Sequence, residues 1–250
     1  MRGEQLLEWL RTAQPDVVAL QETKIQDLDF PHPQFAAAGY HSVFSGQKTY
    51  NGVALLARLP LIDVARDIPD FDDPMRRVLA ATIGSLRVIN LYVPNGQAPG
   101  SEKFAYKMRW LDALTRWLRT EAEQHAGLVV LGDFNVAPED RDVHDPAAWV
   151  GSVHVSPQER AALAAVMDIG FVDTFRQFEQ PEKSFSWWDY RQGAFRRNNG
   201  LRIDLILAHR KLLPALVECR IDVEPRRVER ASDHTPVVAI FDLAKLAALQ

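Results

Sequence analysis

Four short apolar runs in this chain each meet an acidic cluster. The run Val17–Leu20 leads into Glu22, and residues 128–131 lead through Gly132 into Asp133 and Asn135. Asp204 stands at the start of the run 203–208, and Asp233-His234 leads through Thr235 into 236–241. Short apolar runs punctuated by Gly, Pro and Asp read as buried strands. In α/β proteins the ends of such strands are where ligand sites are built. This pattern calls for a sheet-based core with chemistry at the strand ends.

The rest of the chain fits an α/β reading. Residues 40–44, 52–57, 78–83 and 86–93 read as further strands. An amphipathic segment around Leu6, Leu7, Trp9 and Leu10 reads as a helix that Pro15 stops. Phe104, Met108, Leu111, Leu114 and Leu118 recur every three or four positions and predict a long helix over 102–124. Ser156-Pro157-Gln158-Glu159 opens another, with serine as N-cap and proline in the first turn. Strands follow strands between residues 40 and 93, which favours mixed sheets over a purely parallel one. No linker, repeat or low-complexity segment interrupts the 250 residues, so a single domain over 1–250 is the economical reading.

Composition narrows the function classes. With 47% hydrophobic and 25% charged residues the chain is an ordinary globular one, not a disordered one. No apolar run approaches the roughly 18 residues of a membrane span. The single cysteine, Cys219, can close no internal disulfide, and a reduced, cytoplasmic setting fits it. A net charge of −4 argues against a passive basic nucleic-acid binder but leaves enzymes acting on nucleic acid open. The even mix of charges reads as a monomer.

The strand-end clusters are rich in oxygen: Glu22, Asp133, Asn135, Asp204 and Asp233, with His234 as the single histidine. Hard oxygen ligands suit Mg²⁺, with Mn²⁺ as a substitute, rather than Zn²⁺. Carboxylates around such an ion, with one imidazole, suit hydrolysis of a phosphate ester. A carboxylate can orient and deprotonate the attacking water, and His234 can meet charge developing on phosphorus. Each cluster alone has an ordinary structural reading: a cap or surface residue at Glu22, a strand-ending turn at Gly132-Asp133-Phe134-Asn135, a turn before an edge strand at Asp233, a buried ion pair at Asp204. Their joint occurrence tips the balance to function. Arg191, Arg196, Arg197 and Arg202 cluster with Gly193, Asn198, Asn199 and Gly200. A flexible arginine-rich loop of that kind suits a phosphate backbone, a solvated loop being the alternative. Arg226, Arg227 and Arg230 read as surface charge.

These clusters lie in segments that resemble the exodeoxyribonuclease III family (AP endonuclease family 1) of the endonuclease/exonuclease/phosphatase superfamily. The segments are Leu20-Gln21-Glu22-Thr23-Lys24, Tyr50-Asn51-Gly52-Val53-Ala54, Asn90-Leu91-Tyr92-Val93-Pro94-Asn95-Gly96 and Leu131-Gly132-Asp133-Phe134-Asn135. Phe185-Ser186-Trp187-Trp188-Asp189-Tyr190-Arg191, Gly200-Leu201-Arg202-Ile203-Asp204 and Ser232-Asp233-His234-Thr235-Pro236 follow in family order. The resemblance implies a four-layer α/β sandwich, two mixed β-sheets face to face with helices outside. It implies Glu22 as main metal ligand, with Asp133, Asn135, Asp233 and His234 completing the metal side. Asp133 would orient or activate water, and Asn135 would help hold it and the phosphate. Tyr92 would be a hydrogen-bond or phenolate partner of the scissile phosphate, and Asp204 would orient His234. Asn95 would contact the DNA backbone. Trp187, with Leu201, would line a pocket for a flipped-out abasic sugar, where extrusion costs least. Trp188 fits core packing better.

The implied activity is a Mg²⁺-dependent DNA-repair nuclease on double-stranded DNA, cutting at abasic sites and trimming or cleaning 3′ ends. The alternatives are a phosphoesterase on a small molecule or lipid, and a catalytically impaired DNA-binding form. The second arises because family members begin with a strand ending in a Trp-Asn-Val-Asn type segment. Nothing of that kind precedes the helix near Glu4, so the expectation is a domain lacking its first strand and the asparagine that helps place the metal.

Overall fold

The computed structural model describes residues 3–247. Its strands are β1 (Val17–Leu20), β2 (His41–Ser45), β3 (Val53–Ala57), β4 (Leu61–Ala65), β5 (Val78–Ile83), β6 (Leu86–Tyr92), β7 (Leu128–Asp133), β8 (Phe171–Asp173), β9 (Asp204–His209), β10 (Leu216–Ile221) and β11 (Val237–Phe241). Its helices are α1 (Gly3–Ala13), α2 (His32–Ala37), α3 (Glu102–Gln124), α4 (Pro146–Trp149), α5 (Pro157–Met167), α6 (Ala194–Arg197) and α7 (Leu243–Ala247).

One mixed six-stranded sheet, ordered β4-β5-β6-β7-β9-β8, forms the central layer. Its single parallel pair is β6 with β7, and the long α3 makes the crossover that a parallel pair requires. Alternation along each strand divides the side chains between two faces. Leu128 and Val130 of β7 pack with Trp110, Leu114 and Leu118 of α3 and with Leu163 of α5. Val129 and Leu131 face the other way, toward the second layer.

The second layer consists of two antiparallel pieces, β1-β3-β2 and β10-β11. Val53, Leu55 and Ala57 of β3 pack inward on Leu79, Ala81 and Val88 of the central sheet. Ala54 and Leu56 point outward to Leu10 of α1 and Phe35 of α2. The four layers inferred from the resemblance are therefore present, with only the central sheet mixed. Among the described residues β1 pairs on one side only, with β3, and β11 only with β10.

The long helix has the bounds its periodicity predicts, and Ser101 caps it by accepting from the Phe104 N–H at 3.1 Å. Ser156 and Glu159 form a reciprocal capping box at the start of α5. β7 runs on through Asp133, past the end of its apolar run, so the acidic residue sits on the strand rather than in a following turn. β4, β8 and β10 carry too little continuous apolar character to be read from sequence, and β4 is only half-buried. No helix among the described residues is long and apolar enough to cross a membrane.

Two polar details hold the layers in register. The buried Asn90 amide donates to the carbonyls of Leu20 and Ala54, both at 2.9 Å, and accepts from the Gln21 amide at 2.7 Å. It thereby ties the ends of β1 and β3 to the central sheet. Gly132 holds φ +135°, and a Cβ there would stand 2.1 Å from the Leu91 carbonyl oxygen of β6. Only glycine permits the parallel pair to close at this point. Gly132→Ala is expected to destabilise the protein by more than ~1 kcal/mol, about 2–4 °C in Tm or more. An unchanged melting curve would contradict this assignment.

Candidate active site

The strand register gathers the first three site residues. Tyr92, the last residue of β6, is the parallel partner of Asp133 at the end of β7. Asp133 is in turn the antiparallel partner of Asp204 at the start of β9. All three project from one face of the central sheet, toward the second layer. That layer supplies Glu22, just beyond β1, and His234, just before β11. Glu22 and Lys24 both adopt positive φ, 50° and 55°. Their loop is pinned by Thr23 N–H to the Gly52 carbonyl (3.1 Å) and Lys24 N–H to the Asn51 carbonyl (2.9 Å). A Cβ on Gly52 would stand 2.3 Å from the Thr23 hydroxyl, which explains the Asn51-Gly52 pair as a support for the Glu22 loop.

The charges form a connected set. His234 Nδ1 lies 2.9 and 3.0 Å from the two Asp204 oxygens, and its Nε2 lies 3.9 Å from Asp133 Oδ2. Burial works against the imidazolium, but Asp204, aided by Asp133 and Asp233, more than offsets it and lifts His234 to about 10. Burial pushes the Asp133 carboxyl up to about 7, His234 pulls the other way, and Asp204 and Glu22 add to the push. Asp133 Oδ1 accepts the Asn135 N–H at 2.8 Å and Oδ2 the Asn135 amide at 3.1 Å. The Tyr92 hydroxyl donates to Glu22 Oε1. Burial and the Glu22 carboxylate push Tyr92 far above its ordinary range, so it is a phenol donor and not a phenolate. Burial also works against the Glu22 carboxylate, yet hydrogen bonds from Lys24 (2.7 Å) and Tyr92 hold it below the ordinary range.

The metal set inferred from the resemblance does not gather whole. Among the described residues no three His, Cys, Asp or Glu side chains converge as a metal cage. His234 Nδ1 is held by Asp204, and its Nε2 faces Asp133 rather than Glu22. The Asn135 amide donates to the Val93 carbonyl (2.9 Å) and to Asp133, and so belongs with Asp133 rather than with Glu22. Asp233 accepts the Trp187 indole N–H at 3.1 Å. Glu22 is left as the accessible carboxylate. One or two carboxylates, with waters and substrate phosphate, are what Mg²⁺ ordinarily takes from a protein, so the donor chemistry fits.

Of the residues expected at DNA, Asn95 is exposed beside the site, with its amide 3.5 Å from Asn135 Oδ1 and 3.3 Å from His154 Nε2. Trp187 is half-buried and makes backbone bridges to both His234 and Leu201. Leu201 itself is wholly buried with Ala137, Val143 and Ile203, so it backs Trp187 instead of lining a surface. Arg202 is a clear correction. It is 1% exposed and pairs with Asp142 at 2.7 Å and Asp173 at 2.7 Å, so it cannot reach DNA. Its position one residue after Leu201, on a segment entering β9, turns it into the interior. Arg191, Arg196 and Arg197 are exposed, Arg191 pairing with Asp189 at 2.8 Å. Trp188 is core, edge-on to Phe195. Arg226 lies over the Tyr190 and Phe195 rings, while Arg227 and Arg230 pair with Glu224 and Glu229.

Sequence reasoning missed Lys107, His154, Glu159 and Asn90 as supports of the site. One signal was present: Lys107 occupies an inward position on the apolar stripe between Phe104 and Leu111. The buried His154 has no such signal. Burial, with Lys107 nearby, depresses it to about 4, so it is a neutral imidazole.

A buried carboxylate poised near neutrality, an imidazolium beside it and an accessible carboxylate on a four-layer α/β sandwich define a phosphoester hydrolase. The Endonuclease/Exonuclease/phosphatase family model matches residues 1–234. The chain is 36% identical over 253 residues to exodeoxyribonuclease III of Haemophilus influenzae, covering 96% of this chain and 95% of that protein. A 3′ phosphatase from Neisseria, solved with a product DNA hairpin, superposes with a TM-score of 0.95 at 45% identity, covering 96% of this chain and 94% of that one. An AP endonuclease from Archaeoglobus fulgidus gives 0.91 at 38% identity, covering 95% and 93%. The chain belongs to the endonuclease/exonuclease/phosphatase family, in its exodeoxyribonuclease III-like branch.

Two outcomes follow from the site's geometry. Arg202→Ala strands Asp173 and leaves Asp142 with Arg176 alone, and should cost about 3–5 kcal/mol in a denaturant titration; a loss under ~1 kcal/mol would contradict the network. In metal-free protein, NMR titration should place His234 near 10, and Asp204→Asn should bring it toward ~6.5. Because the folded value is raised, the stabilisation by Asp204 is full below ~6.5 and is lost as pH rises through about 10. The Tm gap between parent and variant should narrow over that window, and a pH-independent gap would contradict the pairing.

Proposed function

We propose that this chain is a Mg²⁺-dependent DNA-repair nuclease. It hydrolyses phosphodiester bonds of double-stranded DNA, trimming and cleaning 3′ ends and cutting at abasic sites. The observation that carries this reading is the buried Asp133 carboxylate at the centre of the site, flanked through strand pairing by Tyr92 and Asp204 and 3.9 Å from His234. A carboxyl group near 7 is suited to take a proton from water at neutral pH. As the water oxygen bonds to phosphorus, its proton passes to Asp133 and the bond to the leaving oxygen breaks, that oxygen taking a proton from solvent to depart as the alcohol. Asn135 holds Asp133 in orientation through its N–H and amide. The His234 imidazolium, fixed by Asp204, presents Nε2–H to a phosphoryl oxygen and meets the charge that develops there. The Tyr92 phenol serves as a donor beside the same phosphate. Glu22 would hold the metal ion, which when bound would polarise a phosphoryl oxygen and offset its charge.

Exposed Arg191, Arg196 and Arg197 favour a polymeric phosphate backbone over a small phosphate ester. Asn95 and Trp187, beside the site, would contact the DNA strand. No part of this role requires a partner protein or a membrane.

The test is cleavage of duplexes carrying one abasic-site analogue or a 3′-phosphate, with an inositol phosphate assayed in parallel. Mg²⁺ should support turnover, EDTA should abolish it, and Asp133→Asn should lower kcat at least ~100-fold. Full cleavage in EDTA or in the variant, or preference for the inositol phosphate, would overturn the reading.

A further inference from the structure

Behind the site lies a buried ion pair that the proposed chemistry does not use. Lys107 of α3 and Glu159 of α5 meet at 2.5 Å, both side chains wholly buried. Each of the three ammonium hydrogens has an acceptor: Glu159 Oε1, the Asn135 carbonyl at 2.7 Å and the Asn95 carbonyl at 3.2 Å. Glu159 Oε1 also accepts the His154 N–H at 3.0 Å, and Oε2 accepts the Ser156 N–H at 3.1 Å and its hydroxyl at 2.6 Å. His154 Nδ1 lies 2.6 Å from the same Asn135 carbonyl.

The two carbonyls captured by Lys107 belong to the two asparagines of the site, on separate loops that follow β6 and β7. Asn135 adopts φ +49°, a left-handed conformation that asparagine tolerates better than most residues with a side chain. With its carbonyl drawn inward by Lys107 and His154, its N–H and amide both point at Asp133. Releasing that carbonyl would unpin the loop after β7 and loosen the hold of both donors on the carboxylate. A buried ion pair adds little net stability over apolar side chains of the same size, so stability alone gives no reason for it here.

We propose that the Lys107–Glu159 pair is a positioning element: it locks the Asn95 and Asn135 loops together and thereby fixes the orientation of the Asp133 carboxylate. Neither residue touches substrate. The proposal rests on reading Asn135 and Asp133 as residues of the reaction, and the experiment separates the two claims.

The experiment is a kinetic double-mutant cycle of Lys107→Met and Asn135→Ala on the duplex that the parent cleaves, with kcat and KM measured separately. Lys107→Met is expected to lower kcat at least ~10-fold while KM stays within ~3-fold, the mark of a misplaced reacting group. In the Asn135→Ala background the same change should cost less than ~3-fold, because the side-chain amide whose placement it secures is gone. Losses that multiply, or a folded Lys107→Met with parental kcat, overturn the proposal. Should Lys107→Met melt below the assay temperature, Glu159→Gln, which removes the charge and keeps the shape, is judged by the same cycle. If both melt, the pair is a folding element and the proposal fails. Parental activity in Asn135→Ala would overturn the site reading itself.

Discussion

The register of β6, β7 and β9 is the constraint on which the site depends. Side chains alternate along a strand, so a slip of one residue would send Asp133 toward α3 and put Phe134 in its place. The parallel pairing of β6 with β7 lines up Tyr92 with Asp133, and the antiparallel pairing with β9 adds Asp204. Gly132 permits that closeness, and α3 supplies the crossover that makes the pair parallel. From β6 of the central sheet, Asn90 fixes the end of β1 and with it the reach of Glu22. His234 completes the group from the segment before β11.

Burial then sets the chemistry. An isolated buried carboxylate would neutralise, and Asp133 is pushed that way until His234 offsets part of the cost. Asp204 does the converse for His234, holding it charged where burial alone would discharge it. Environment thus separates two neighbouring carboxylates, one near neutrality and one committed to an imidazolium. The outer ends of the same loops rest on further buried charge: Lys107 with Glu159 under the asparagines, and Arg202 between Asp142 and Asp173 under the Trp187 segment.

Much of the fold was legible because its signals are local. The core strands Val17–Leu20 and Val78–Ile83 and the helix Glu102–Gln124 appear with the bounds their apolar patterns predict. β4 and β10 escaped because one is only half-buried and the other mixed in character. The residues at the centre of the site were legible through their position at strand ends. Arg202 was misread because a loop rich in Gly, Asn and Arg looks solvated in sequence, whereas its side chain turns inward to two aspartates distant along the chain. Leu201, placed at the pocket by the resemblance, is instead buried behind Trp187.

The sequence by itself determined which segments become strands and helices, that acidic side chains end up at their tips, and what class of chemistry an oxygen-rich set with one histidine can perform. Those properties depend on residue type and on spacing over a few positions. The tertiary structure alone decided that Tyr92 stays a phenol, that His234 is paired with Asp204, that Arg202 is core, and that Lys107 reaches the carbonyls of both asparagines. Each of these rests on burial and on partners far away in sequence. Burial and charge pairing come from packing between elements, which no local pattern encodes.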